Sequence, residues 1–461
     1  MQNLNKINGI ITKSPGKCLL CGGYLILNKN NNGVVINIDS FMECESKLIP
    51  NKECMELNEI ITLEIYSFYT QSLQKFHICY NNEKLFIKTD SEINKWIYYS
   101  VQMAFYLYFL EFPSIEVFQK CIGKIYKCYL SIKGDYRFYS YKEANQSAKS
   151  GNIKTGLGSS SALISSICSN IIIFLSKIDT TNKNVESNNC IRNINEQRIK
   201  SLIVLSSLLA NNLAQNKIGS GFDILSSILG SQIFHQYQNQ LNFDAPLLLN
   251  QNNKIRLDKF LDEYEKTYLS QIKFLSHNQL FTSQKFSFFI SLISIESGSD
   301  TRIFVKKVTE YARLKMKKEL FDDPLFSKLT EINKCIISIF DSSTNELNIQ
   351  NLKQLCIQYR KVIKEISDET EVEIEPKIFT SLLDNLISKD SIIFAICPGA
   401  GGFDNIAVLG YGNTDTKRNI FDQQVQECVD LYNKDIGIAN NFKAYIIKAN
   451  IVNNGTNYEI I

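Results

Sequence analysis

The chain has 461 residues, of which 44% are hydrophobic and 21% charged, and a formal net charge of +3. That length exceeds one small core and predicts two domains, while the apolar share excludes a disordered chain. With charges so nearly balanced and no run of Lys and Arg, neither nucleic acid nor a membrane is expected as a partner, and charge that holds an anion must be local.

Thirteen cysteines are scattered without regular spacing, and Met1 to Thr12 lacks the charged-then-apolar pattern of a signal peptide, so reduced thiols and a cytoplasmic location are expected. Cys18-Leu19-Leu20-Cys21 is a CxxC pair without a second pair at zinc-ligand spacing. With only three histidines in the chain, it reads as small strand-filling residues.

In chain order, Ile7 to Thr12 predicts a short strand that Ser14-Pro15-Gly16 stops in a turn, with Lys17 following. Behind Gly22-Gly23, Tyr24-Leu25-Ile26-Leu27 predicts an apolar strand, and Val34 to Ile38 and Ile60 to Ser67 predict two more. Trp96 to Leu110 is the most membrane-like segment, but Ser100 and Gln102 interrupt it and Lys95 and Glu111 bound it. It predicts a buried helix ending before Pro113, and no transmembrane span is expected. Lys127 to Ile132 predicts a strand.

Lys154-Thr155-Gly156-Leu157-Gly158-Ser159-Ser160-Ser161-Ala162 follows. Two glycines around one leucine let the backbone turn tightly and bring N–H groups to an anion, and three serines add hydroxyls. The apolar run from Leu163 to Leu175 predicts a buried helix whose N-terminus would face that anion. A Gly/Ser turn capping an ordinary helix is the alternative reading of the same residues.

Asp179 to Glu196 is polar and asparagine-rich and predicts an exposed loop; Ile199 to Leu213 returns to a helical pattern. In Lys217-Ile218-Gly219-Ser220-Gly221-Phe222-Asp223, the aspartate stands at the mouth of a further helix, as a cap or as a positioned general base. Gln236 to Asn253 predicts a linker. Beyond it come a strand at Phe286 to Ile295, a helix at Thr301 to Leu320, three helical patterns between Phe326 and Ile387, and a strand at Ile392 to Cys397. That strand enters Pro398-Gly399-Ala400-Gly401-Gly402-Phe403-Asp404. A strand at Asn405 to Gly410, a helix at Lys417 to Tyr432 and a strand at Phe442 to Ile451 complete an α+β unit.

Ser14-Pro15-Gly16-Lys17 with Gly22-Gly23-Tyr24, then Gly156 to Ser160, then Pro398 to Gly402 together resemble the three motifs of the GHMP kinases, the superfamily of galactokinase, homoserine kinase and mevalonate kinase. The resemblance covers nearly the whole chain. Leu19 to Leu25, Lys154-Thr155 and Gly219 to Asp223 are similar to the pattern of the phosphomevalonate kinase branch, and Asp135 to Ser140 and Gly298 to Thr301 agree with it.

The resemblance implies an α+β, two-domain fold: an N-terminal ribosomal-protein-like α/β domain over 1–240 and a C-terminal ferredoxin-like α+β domain over 241–461. It implies transfer of the ATP γ-phosphoryl group to 5-phosphomevalonate, with Mg²⁺, by a monomer or weak homodimer. Lys154, Gly156, Leu157, Gly158, Ser159, Ser160 and Ser161 are implied around the ATP phosphates, with the Ser160 hydroxyl on Mg²⁺. Lys17 and Asp223 are implied as the catalytic pair, in contact with each other. The acceptor falls to Gly22, Tyr24, Lys217, Gly219, Ser220, Gly221, Ser299, Thr301, Ala400, Gly401 and Gly402. The chain departs from the family at Cys18 and Cys21, where relatives carry alanines, at Asp135-Tyr136-Arg137, and at Asn211-Asn212, where some members place a glutamate on Mg²⁺. No Gly-x-x-x-x-Gly-Lys-Ser/Thr occurs, so the site is not of Walker type. Mevalonate kinase, diphosphomevalonate decarboxylase and a silent sensor on the same fold remain open; intact Lys17, Ser160 and Asp223 speak against the last.

Overall fold

The computed structural model describes residues 9–50, 59–67, 72–81, 84–89, 94–111, 126–139, 155–181, 195–217, 219–236, 262, 266, 272–275, 287–295, 301–316, 323–341, 346–437 and 443–461. Lys154, Ser299 and the segment 298–300 lie outside them, as do 182–194 of the expected Asn-rich loop and 237–253 of the expected linker.

Two sheets organise the described residues. The larger runs in the order β14 (Asn457–Ile460), β1 (Gly9–Cys21), β2 (Asn32–Pro50), β6 (Tyr126–Gly134), β3 (Glu59–Ser67), β4 (Ser72–Asn81), β5 (Lys84–Thr89). Its pairings are antiparallel except that of β3 with β6. Three short strands join it: β7 (Gln232–His235) and β13 (Ile451–Val452) pair with β2, and β8 (Lys273–Phe274) pairs with β7. Helices α1 (Lys95–Phe109), α2 (Ser159–Thr181) and α3 (Glu196–Gln215) pack on one another, and α2 lies across β1 and β2. The contact is specific as well as apolar. Asn170 Nδ2 donates to the carbonyls of Ile10 (3.0 Å) and Cys44 (2.8 Å), and Thr12 Oγ1 donates to Ser166 O (2.9 Å). Short α4 (Phe222–Leu229) packs against α2, α3 and β1.

The smaller sheet is antiparallel, in the order β10 (Ile392–Ile396), β11 (Asn405–Gly412), β9 (Ser287–Ile295), β12 (Ala444–Ala449). Helices α7 (Glu346–Thr370), α8 (Lys377–Ser388) and α9 (Asp415–Tyr432) pack on it, while α5 (Thr301–Met316) and α6 (Pro324–Asp341) pack on α7, and α6 also reaches β2 and β7 of the large sheet. β10 is buried throughout and β9 from Phe288 on, which is why both read as continuous apolar runs instead of alternating ones.

Several elements differ from the sequence expectation. β1 does not stop at Ser14-Pro15-Gly16: the strand continues to Cys21, because the register shift between Pro15 and Gly16 places the proline at a bulge, where its missing N–H breaks no regular pairing. Tyr24 to Leu27 is not a strand. Ile26 N–H donates to Gly22 O and Asn28 N–H to Leu25 O, closing a 3₁₀ turn that buries Leu25 and Ile26. A four-residue apolar run carries no period to separate these forms. The expected last strand is divided into β12 and β13, and β14 beyond it returns to the large sheet, which thus takes strands from both ends of the chain. Among the described residues, the helix long and apolar enough to cross a membrane is Ser159–Lys177 in α2, not Trp96 to Leu110; 89% of its apolar window is buried inside the protein, as a core helix.

Candidate active site

The cavity of interest, about 1000 Å³, lies where β1, α2, α4 and the β10–β11 turn converge. Gly156, Gly158, Ser159, Ser160 and Ser161 line it, and α2 begins at Ser159, aiming its N-terminal N–H groups at the space. Gly158 adopts φ +78°, and a Cβ there would stand 3.0 Å from Lys17 Cε and 2.9 Å from Ser161 Oγ. The Lys17 side chain therefore lies directly over the glycine, where a Cβ would crowd it and the positive φ would strain any other residue. Lys17 N–H donates to Leu157 O (2.9 Å) and its Nζ to Gly156 O (3.3 Å), binding the first loop to the phosphate loop.

The phosphate loop is also held from behind. Thr155 donates by its N–H to Phe138 O (3.2 Å) and by its hydroxyl to Arg137 O (2.7 Å). Arg137 is a brace: its guanidinium contacts both oxygens of Asp135, Asp39 Oδ1 at 2.7 Å, the Asp39 carbonyl and Lys448 O at 3.1 Å. The departure noted at Asp135-Tyr136-Arg137 is a structural mooring for the loop entrance, with Tyr136 exposed.

Lys217, Gly219, Ser220, Gly221, Phe222 and Asp223 form the opposite wall. Gly221, at φ +79°, and not Asp223, is the N-cap of α4; the aspartate is the second residue of the helix and its Oδ1 accepts from Ile224 N–H at 3.0 Å. The implied Lys17–Asp223 contact is not formed. Among the described residues no ion pair joins them, because Lys17 Nζ is drawn to Gly156 O and sits 5.1 Å from the centre of the Phe222 ring. The two charges instead face one cavity.

The third turn closes it. Pro398, Gly399, Ala400 and Gly401 line the cavity with Gly23 of the first loop, and Gly399 N–H donates to Leu19 O (3.1 Å). Tyr24 and Gly402 do not line it. Tyr24 is buried, with its hydroxyl donating to Ala400 O (2.8 Å), and Gly402 N–H is bound to Ile374 O (2.9 Å). Leu157 and Gly22 likewise serve the backbone and not the cavity: Leu157 is buried, and Gly22 is packed against Gly33 and Asn32. Thr301 begins α5, which reaches the cavity through Val305.

Other lining residues carried no assignment from the sequence. Asp404 and Asn405, at the end of the third turn, back onto Gly156, and Asn405 Nδ2 donates to Thr155 O at 2.5 Å. Asn211 and Gln215 of α3 line the cavity and bond to each other at 2.8 Å, whereas Asn212 holds the glycine loop by accepting from Gly219 N–H at 3.1 Å. Lys95 and Trp96 open α1 with Asn94 as N-cap, and the Lys95 ammonium is 5.4 Å from the Trp96 ring centre. The single Trp of the chain, two residues after a capping asparagine, was the available signal. Cys18 lines the cavity too, but burial pushes its thiol up to about 12, so it offers no nucleophile at neutral pH.

Three lysines (Lys17, Lys95, Lys217) and two carboxylates (Asp223, Asp404) thus face one space walled by backbone N–H groups. That arrangement binds a polyanion and leaves a carboxylate for a second substrate. The oxygen donors Ser160, Asp223 and Asp404 suit Mg²⁺, but no group of three His, Cys, Asp or Glu able to hold a metal exists among the described residues. A magnesium ion fits here only with phosphate oxygens completing its shell.

The fold is the GHMP kinase fold. In fold, the chain matches the Lin0012 protein of Listeria innocua (TM-score 0.57, 16% identity, covering 96% of this chain and 99% of that one). It also matches Lactococcus lactis galactokinase complexed with galactose (TM-score 0.53, 12% identity, 97% and 95% covered). Within the class it is similar to the phosphomevalonate kinases: 25% identical to that of Candida albicans over 86% of this chain and 88% of the relative, and 22% identical to that of Gibberella zeae over 89% and 90%. Streptococcus pneumoniae phosphomevalonate kinase, solved in complex with phosphomevalonate and AMPPNP, shares the fold at a TM-score of 0.50 and 10% identity, with 96% and 99% covered. No family model matches the chain.

Proposed function

We propose that the protein transfers the γ-phosphoryl group of ATP to the phosphate of 5-phosphomevalonate. The observation that carries this reading is the convergence of Lys17, the Gly156–Ser161 loop, Asp223 and the third glycine turn on one cavity; similarity to phosphomevalonate kinases over most of the chain supports the choice of acceptor.

Phosphoryl transfer asks a protein for alignment and for neutralisation of charge spread over the transferred group. The N–H groups of the phosphate loop and the start of α2 receive the β- and γ-phosphates. Lys17 leaves Gly156 O, a weak partner at 3.3 Å, for the more negative oxygens of the transferred group. The Ser160 hydroxyl, with Asp223 or Asp404, would hold Mg²⁺, which would supply charge neutralisation at the phosphates. Trp96 offers a flat apolar face for the base. The acceptor phosphate has a second pKa near 6 and is mostly dianionic at neutral pH, so Asp223 orients the attacking oxygen more than it removes a proton. Lys217 and Ser220, with the third turn, receive the acceptor's own charges.

ADP release measured with 5-phosphomevalonate, mevalonate and 5-diphosphomevalonate in turn tests this. Turnover is expected with the first alone. Turnover with mevalonate, or CO₂ release from the diphosphate, reassigns the acceptor; calorimetric ATP binding without turnover on any of them sinks the kinase reading.

A further inference from the structure

Behind the third glycine turn, outside the cavity, lies a buried ionic cluster that the chemistry does not use directly. Arg360, in the middle of α7, is 4% exposed and Glu375 is 4% exposed. The guanidinium grips the carboxylate by two bonds, Nε to Oε2 at 2.9 Å and Nη2 to Oε1 at 2.8 Å, and Nη2 also reaches Asp384 Oδ1 of α8 at 2.8 Å. Lys364 stands 3.4 Å from Glu375. Burying such a pair is a poor route to stability, because desolvation offsets the attraction. Its placement suggests another use.

Glu375 follows Ile374, whose carbonyl accepts from Gly402 N–H at 2.9 Å. Gly401 sits at φ +74° so close to that same carbonyl that a Cβ would run into it. The peptide pinned by Arg360 is thus the floor on which the third turn rests. That turn is tied in its own right to the first loop, by Gly399 N–H to Leu19 O and Tyr24 Oη to Ala400 O.

We infer that Arg360 and Glu375 are positioning residues that fix the third glycine turn against the first, and thereby set affinity for the acceptor without touching it. The assignment to the acceptor rests on the function proposed above; the fixing of the turns does not.

The test uses the full chain with Arg360→Lys and Glu375→Gln. Backbone hydrogen exchange is followed on peptides covering residues 19–25, 398–403 and 156–162, beside the melting temperature and steady-state kinetics. Faster exchange is expected at 398–403 in both variants, with 156–162 unchanged. The acceptor KM is expected to rise about fivefold or more while kcat and the ATP KM stay within about twofold. If Arg360→Lys does not fold, Glu375→Gln, which keeps the shape of the side chain and removes its charge, carries the test alone. Unchanged exchange at 398–403 overturns the inference. So does a loss of melting temperature with both KM values unaltered, or a fall in activity shared equally by both substrates, since either is what a merely structural pair would give. Should the wild-type chain turn over none of the three acceptors, the proposed function fails, and the exchange pattern still decides whether the helix fixes the turns.

Discussion

At the scale of single residues, the site separates charge from position. Lys17 and Asp223 share a cavity without pairing, so each is available to a substrate. Asp223→Asn keeps the shape of the side chain and its place in the first turn of α4 but removes the charge. Its kcat is expected to fall by about a hundredfold or more with the ATP KM little changed. Lys17→Met is expected to lower kcat by about a hundredfold as well, through lost stabilisation of the transferred group. An unchanged kcat in either variant removes that residue from the chemistry. Tyr24 is the contrasting case: the motif includes it, yet it is buried and spends its hydroxyl on Ala400 O, so it builds the site from behind.

At the scale of elements, α2 links the site to the core. Its first turn faces the cavity, and eleven residues after Ser159 the amide of Asn170 ties the buried helix to β1 and β2. Asn170→Leu keeps the volume but removes both bonds. A loss of about 1–3 kcal/mol is expected from urea midpoints, with kcat preserved because the phosphate loop is moored separately through Thr155 and Lys17; a fall in kcat at unchanged midpoint contradicts this. The elements legible in the sequence were those with a long period or a distinct break. The helices at Lys95–Phe109, Ser159–Thr181 and Glu196–Gln215 and the strands around the third turn fall where their patterns predict them. β1 continued through Pro15 because a bulge, which depends on the partner strand, absorbed the proline, and Tyr24 to Leu27 was too short for any pattern to decide. In the site, the glycine motifs were legible because positive φ and close approach of neighbouring chain demand those residues. Arg137, Asn405 and Lys95 were not, since their roles come from contacts with Asp39, Thr155 and Trp96, and composition does not reveal such contacts.

At the scale of the whole molecule, both sheets bury thiols that the chemistry does not use. Burial pushes Cys18, Cys21 and Cys128 up to about 12 in and beside the large sheet, and Cys356 up to about 12 behind the small one. An exposed thiol in the unfolded chain loses its proton near pH 9, whereas these keep theirs until about pH 12. Below pH 9 both states hold the protons and the stabilisation is complete. Between 9 and 12 the unfolded chain binds fewer protons than the folded one, so stability must fall as pH rises. On the acid side, His235, held below its usual value by burial and by Lys273, adds a second slope below about pH 6.5. The urea midpoint is therefore expected to be level from about pH 7 to 9 and to drop progressively by pH 10.5, and a midpoint that stays level to 10.5 refutes the burial of these thiols. Iodoacetamide at pH 8 offers an independent check of the same packing: it is expected to label exposed Cys335 in the native protein and to leave Cys18, Cys21, Cys128 and Cys356 unmodified until urea is added.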